Sequence, residues 1–252
     1  VNASPKEVPG RVNGKKTSIK MLLENKLLII HRIGKSAYYM IFFVCACLAT
    51  FCLPGCNRKP AELPLPFYNK PDFTPEWIDK TSPDYKNIHT IPAFSFTNQD
   101  GKTITEKTVA GKIYVADFIF TRCGGICPKM SDNMGILQQK FKDDEGVIFL
   151  SHSVTPDADS VPVLKKYAIK KGAISGKWHL LTGSQEKIYT LAKKQYYAGD
   201  TVGYYQAGNE FLHTENFLLI DRHRRIRGVY NGTLVLEMAR LADDIRTLEK
   251  ED

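Results

Sequence analysis

Two cysteines four residues apart, Cys123 and Cys127, stand in the stretch KIYVADFIFTRCGGICPKMSDNM that runs from Lys112 to Met134. A pair of thiols at this spacing supports two kinds of chemistry. As thiolates they are donors for a soft ion such as Cu(I), which is satisfied by two or three ligands. As a redox couple they exchange electrons by forming and breaking a disulfide. Zinc fits less well, since a closed structural site wants four protein ligands and a catalytic one three and a water. Gly124-Gly125 opens the turn and Arg122 and Lys129 flank it, which argues against a pair of inert, buried thiols. On a helical turn residues i and i+4 share a side, so both sulfurs can face one ion, and they can also close a disulfide if the turn distorts.

A third donor has to come from elsewhere, and the histidines beyond the N-terminal region are His89, His152, His179, His213 and His223. Met130 and Met134 are soft enough to bind copper, but with Leu137 and Phe141 they recur at helical spacing and read as one buried helix face. His213 precedes an apolar run, Phe217 to Ile220. His152 follows a second such run, which makes it the runner-up. His223 falls in a charged turn, and His89 and His179 read as surface or packing residues.

The elements that must position these side chains follow from the hydrophobic pattern. Ile113 to Phe120 is an apolar run of strand length that ends in a Gly-containing turn, and Pro128 just beyond Cys127 suits the first turn of a helix. The cysteines thus lie where a buried strand hands over to a helix N-terminus, whose dipole favours thiolate over thiol. Ile88 to Thr105 reads as a β-hairpin around Asn98–Gly101. Val147 to Leu150 is a second buried strand, followed by a polar loop and a helix to about Lys171, capped by Asp159 or Ser160. A strand near Trp178–Leu181, a helix capped by Ser184, an irregular stretch from Tyr196 to Asn209, strands Phe217–Ile220 and Ile226–Tyr230, and an amphipathic helix over Leu234–Leu248 complete the chain. Strands alternating with helices imply an α/β sandwich about one mixed sheet. A cysteine pair at the end of its first central strand narrows this to a thioredoxin-like sandwich, with an N-terminal β-hairpin and a C-terminal helix. In such a sheet the strand after His213 lies beside the strand that bears the cysteines.

Residues 1–56 are of another kind. They carry 8 Lys and Arg against 2 Asp and Glu, so +6 of the chain's net +8 belongs to them. The remaining 196 residues are close to neutral, which removes support for nucleic acid as a partner. Lys26, Arg32 and Lys35 precede an almost unbroken apolar run of 17 residues, Ala37 to Leu53, and then Leu53-Pro54-Gly55-Cys56. A membrane-spanning helix needs about 20 apolar residues, so this run reads better as a signal sequence than as a permanent span. Leu-Pro-Gly-Cys is similar to a bacterial lipobox, with Cys56 as the lipid-bearing residue; an uncleaved anchor is the alternative. Either way the expected location is membrane-anchored, with the domain on the periplasmic or extracytoplasmic side. Four of the six cysteines lie in or just after this run, so the chain is no disulfide-stapled scaffold. Six prolines between Pro60 and Pro83 mark 57–87 as a linker, which leaves 88–252 as the folded domain.

Three stretches together carry a family resemblance: TRCGGICPKM, VTPDADSVPVLKKYA, and HTENFLLID followed by GVYNGT. They resemble the SCO/SenC family, membrane-tethered thioredoxin-fold copper proteins that assemble the CuA centre of cytochrome c oxidase. The resemblance runs from about Ile91 to the C-terminus. It implies copper, as Cu(I) or Cu(II), held by Cys123, Cys127 and His213, and as partners the CuA-bearing subunit of the oxidase and another copper chaperone. It equally implies the other role credited to the family, a thiol–disulfide reductase that acts through Cys123 and Cys127 on the oxidase's copper-ligand cysteines and would not need His213. A peroxidase-like or redox-sensing enzyme of the same fold is a third reading. In the family motif S-x-D-P-x-x-D-T/S, Ser153, Pro156, Asp159 and Ser160 match, whereas Thr155 replaces the first acid. Leu212 stands where an Asp often precedes the family histidine.

Overall fold

The computed structural model describes residues 64–198 and 214–251, with Met40 apart from them. Cys56, the candidate signal sequence, His213 and most of the Tyr196–Asn209 stretch lie outside the described residues. Contacts divide the chain at Ala61/Glu62, and every strand and helix named below belongs to the second unit. Among the described residues no helix is long and apolar enough to cross a membrane.

The centre of the fold is β5 (Ile113–Ile119), in which all seven residues are buried. Strands β6 (Val147–Ser153) and β7 (Trp178–Thr182) follow it in parallel. Three buried strands rich in β-branched and aromatic residues are what a sheet covered on both faces requires. The hairpin β3 (Ser95–Asn98) and β4 (Thr103–Thr105) adds to β7 antiparallel, turning at Gly101, whose φ of +72° suits glycine. On the other side β8 (Asn216–Ile220) runs antiparallel to β5, and β9 (Ile226–Asn231) antiparallel to β8. The seven-stranded order is β4-β3-β7-β6-β5-β8-β9. This is the mixed α/β sandwich with hairpins at both ends that the sequence predicts.

Among the described residues, four helices cover the sheet. α1 (Ile126–Lys140), α2 (Val161–Lys171) and α4 (Val235–Glu251) contribute to one core with Val115, Ile119, Phe149, Leu180 and Phe217, while α3 (Gln185–Lys194) packs on the other face with Tyr114, Ala116, Phe118 and Leu150. Met130, Met134 and Leu137 are fully buried, as the spacing predicts. Ser184 caps α3 through its hydroxyl, which accepts the Lys187 N–H at 3.4 Å. Asp159 does not cap α2; Ser160 stands at the cap position and Asp159 faces inward, fully buried. Leu234 is half exposed and precedes the last helix rather than joining its buried stripe of Met238, Leu241, Ile245 and Leu248.

The segment before the hairpin lies on the domain. A two-residue ladder joins β1 (Phe67–Tyr68) to β2 (Pro75–Glu76), and a 3-10 turn follows over Pro83–Asn87. The guanidinium of Arg227, on β9, donates to the carbonyls of Leu65 (2.6 Å) and Pro66 (3.1 Å) and pairs with Asp221 (3.3 Å) and Glu251 (2.7 Å). Four acceptors satisfy a buried cation whose desolvation would otherwise be costly.

Among the described residues, two buried polar side chains of the sheet lack hydrogen-bond partners of good geometry, Asp117 and His152, one on each face. His152, on β6, is enclosed by the rings of Phe94, Phe96, Phe118 and Tyr196, and burial pushes its pKa down to about 3, so it is neutral. Asp117 shares the face of Val115 and Ile119, level with Ser151 on β6. Burial pushes its pKa up to about 7; the Ser151 hydroxyl beside it closes no hydrogen bond of good geometry and opposes that rise only weakly. For a carboxyl raised in the folded state the penalty is absent below the unfolded value of about 3.9. It grows as pH climbs toward about 7 and is complete above it, at most about 4 kcal/mol. Asp117→Asn, which cannot ionise, is therefore expected to gain stability relative to the wild type as pH rises. Urea unfolding at pH 4.5 and pH 8 measures this; an equal difference between the two proteins at both pH values would show that Asp117 is not charged at a cost.

Candidate metal and redox site

The candidate site stands at one edge of the sheet because of strand direction alone. β5 and β6 are parallel and end there, and β8 is antiparallel to β5 and begins there. Beyond β5 the chain bends through Phe120–Gly125, with the Cys123 N–H donating to the Phe120 carbonyl at 3.2 Å, and enters α1 at Ile126. Cys127 lies in the first turn of α1 and is buried; Cys123 lies just outside the helix and is partly exposed. Both are free thiols.

The N-terminus of α1 has no side-chain cap, and a helix start leaves backbone N–H groups without intrahelical partners. The Cys123 sulfur takes that place. It accepts the Gly125 N–H at 3.4 Å. Partial burial alone would raise its pKa, but hydrogen bonds from the Cys127 N–H, the Cys127 thiol and the Gly125 and Ile126 N–H groups outweigh this and lower it below the ordinary thiol value. Cys127 is shifted the other way. Burial pushes its pKa up, and the negative charges that Cys123 and Asp117 can carry add to the rise. The pair is therefore asymmetric, with one accessible thiolate-forming sulfur and one buried thiol that keeps its proton. This suits nucleophilic attack by Cys123, and equally an ion that enters from the Cys123 side and displaces the Cys127 proton.

Among the described residues no three His, Cys, Asp or Glu side chains gather where a metal could be held. The cysteines stand as a pair. His152 is excluded as a partner for them: its strand ends at the right edge, but its ring lies on the α3 face of the sheet while Cys127 lies on the α1 face. His223 is in the turn between β8 and β9, at the opposite edge. His89 contacts the Gln195 carbonyl through Nε2 (2.8 Å), and His179 contacts Asn98 through Nδ1 (3.0 Å), both in packing roles. The expected third donor, His213, is outside the described residues. The residue after it, Thr214, is buried, and β8 starts two residues later.

The same edge is braced by a contact between α1 and the start of α4. The Asn133 amide donates to the Gly232 carbonyl at 2.7 Å, and the Gly232 N–H donates to the Glu215 carbonyl at 2.7 Å. A Cβ at Gly232 would lie 2.7 Å from the Phe217 ring, so only glycine allows this approach. That gives the second Gly of GVYNGT a steric reason.

Two residues near the site were not legible as parts of it. Thr121, two before Cys123, donates to Asp159 together with Thr155, and Asp117 lies on the face of the sheet that Cys127 occupies, near enough to influence its thiol. The readable signal for Asp117 was an acid inside a run, IYVADFI, that is otherwise apolar.

Comparison with known proteins supplies the family. The SCO1/SenC family model matches residues 83–250. The SCO1 protein homolog of Bacillus subtilis is 35% identical over 144 residues, which are 56% of this chain and 74% of that protein. The structure of BsSco, a member of the Sco family of cytochrome c oxidase assembly proteins in which a disulfide switch was identified, is 30% identical. It superposes with a TM-score of 0.55 over 66% of this chain and 96% of that one. Arabidopsis thaliana ScoI, solved with copper bound, is 26% identical with a TM-score of 0.50, over 63% of this chain and 98% of that one. The fold, the cysteine pair at the sheet edge and the family match together make this chain a member of the SCO1/SenC family.

Proposed function

We propose that the chain is a membrane-tethered copper metallochaperone of cytochrome c oxidase assembly, binding one copper through Cys123, Cys127 and His213 and passing it to the CuA-bearing subunit. The observation that carries this reading is the asymmetric sulfur pair at the edge where β8 begins. One sulfur is reachable from solvent, the other is buried, and the polypeptide leads from His213 into β8 at that edge. Two sulfurs and a nitrogen suit copper in either oxidation state. They also leave the ion open on one side, as transfer by ligand exchange requires. The copper is cargo here; the protein's part is to hold one thiolate ready, to release the second proton on binding, and to keep the exposed sulfur where an acceptor's ligands can reach it. The copper-bound Arabidopsis relative and the oxidase-assembly role of BsSco support the reading.

A second reading has its own observation, the proton-retaining thiol beside a more acidic one. In thiol–disulfide exchange the Cys123 thiolate attacks a disulfide sulfur of the acceptor and expels one acceptor thiolate. Cys127 then loses its proton and attacks the Cys123 sulfur, which releases the second thiolate. Two electrons pass to the acceptor, the Cys123–Cys127 disulfide forms, and an extracytoplasmic dithiol donor must reduce it again. The acceptor would be the oxidase's copper-ligand cysteines.

Copper titration of the full chain, followed by the sulfur-to-Cu(II) charge-transfer band, separates the readings. One copper per chain is expected, with at least tenfold weaker binding by His213→Ala; equal binding by the two proteins would remove His213 from the ligand set and favour the exchange reading. Alkylation by iodoacetamide, read by peptide mass spectrometry, is expected to reach half its limiting rate at Cys123 below pH 9, with Cys127 slower throughout. Equal rates at the two sulfurs would contradict the asymmetry. For the tether we propose lipidation at Cys56; mass spectrometry of the mature N-terminus should find a diacylated cysteine there, and an unmodified, uncleaved chain would leave the anchor reading in its place.

A further inference from the structure

Asp159 is fully buried, and no Lys, Arg or His pairs with it among the ion pairs of the described residues. It instead accepts four hydrogen bonds from three residues, Thr121 beyond β5, Ser153 at the end of β6 and Thr155 beyond it. The Thr121 hydroxyl donates to one carboxyl oxygen at 2.5 Å and the Thr121 N–H to the other at 3.2 Å. The Ser153 hydroxyl (2.6 Å) and the Thr155 hydroxyl (3.0 Å) donate to that second oxygen. Ser153 in turn accepts the Thr155 N–H at 3.1 Å, and the Asp159 N–H donates to the Thr155 carbonyl at 2.9 Å. The carboxylate thus ties the loop after β6 to the backbone two residues before Cys123. Hydrogen bonds to a charged acceptor are about twice as strong as neutral ones, and an arrangement this complete leaves Thr121 little freedom.

The geometry points to Asp159 as the positioning residue of the dithiol, holding Thr121 so that the short arc from Thr121 to Gly125 keeps the Cys123 sulfur against the amides that open α1. The inference rests on the reading of Cys123 and Cys127 as the working pair, but not on copper. Asp159 touches neither sulfur in any hydrogen bond; it acts through Thr121. Thr155 also gains a meaning here. Where the family motif carries an acid, this chain places a hydroxyl donor whose hydrogen is used by Asp159. An acid at 155 would set a second carboxyl beside the first and could offer it a hydrogen only when protonated, so the four-donor arrangement belongs to this sequence.

When the anchor is lost, the arc relaxes, the Cys123 sulfur leaves the Gly125 N–H whose hydrogen bond it accepts in the dithiol, and the disulfide becomes the easier state. The test is the equilibrium between the full chain and dithiothreitol. One molecule of dithiothreitol gives two electrons and two protons to the Cys123–Cys127 disulfide and closes to its own cyclic disulfide. The fraction reduced is read from the mass of the peptide that carries both cysteines after acid trapping and alkylation. Asp159→Asn is expected to shift this equilibrium toward the protein disulfide at least threefold. Thr121→Val, which removes only the 2.5 Å hydroxyl bond, should shift it in the same direction and serves if the Asn variant does not fold. Thr121→Ser should stay with the wild type. Asn98→Ala, which gives up buried hydrogen bonds on the distant β3–β7 edge, controls for general loosening and should lower the melting temperature without moving the equilibrium. An unchanged equilibrium in folded Asp159→Asn or Thr121→Val, or an equal shift in Asn98→Ala, would overturn the assignment. If the wild type fails to bind copper while these shifts appear, the chaperone reading falls and the positioning role stands.

Discussion

The two cysteines hang from the end of a strand that is paired on both flanks and buried throughout. β5 is hydrogen-bonded on both flanks, by β6 and β8, and covered on both faces, so all seven of its residues are buried. A strand in that position contributes cohesion in proportion to the apolar area it hides, about 25 cal/mol per Å², and it fixes the spot where its last residue points. The bend that follows inherits that fixity. Cys123 and Cys127 need no dedicated scaffold, since the strand brings the chain to the edge and the N-terminus of α1 supplies amides for the first sulfur to accept.

Strand direction then decides what else can reach them. Because β6 is parallel and β8 antiparallel to β5, the loop leaving β6 and the segment entering β8 arrive at the same edge. The first brings Asp159 and its threonine and serine donors; the second leads in from His213. Pleat decides the rest. His152 is level with Phe118, one residue of alternation away from the face that Cys127 occupies, and that single step places its ring among four aromatic rings instead of beside sulfur. In a strand with a period of two, being at the right end is half of the requirement and facing the right side is the other half.

Much of this could be read from the sequence, because its signals are local. The apolar run 113–120, the Gly-Gly turn, Pro128 and the Met130–Phe141 stripe each report on their own few residues, and together they predict the strand, bend and helix found. The cysteine pair was legible for the same reason. What escaped depends on pairs far apart in the chain. Asp159 looked like a helix cap because Asp before an apolar run often is one; only the tertiary approach of Thr121, 38 residues away, shows its carboxyl turned inward. The aromatic residues Tyr68, Phe73 and Trp77 hinted that part of the proline-rich segment docks on the domain, but its anchor, Arg227, more than 160 residues downstream, could not be read from the sequence, and Trp77 stays exposed. Leu234 fitted the helical spacing but precedes the helix, so period alone extended the stripe by one position.

The Arg227 contacts lie at the far edge of the sheet, where β9 starts and α4 ends, and they grip the backbone at Leu65 and Pro66. The polypeptide therefore enters its globule at the pole opposite the sulfurs. A pull on Leu65 or Pro66 is met first by a guanidinium that two carboxylates also hold, with the length of the sheet between it and the bend at Cys123.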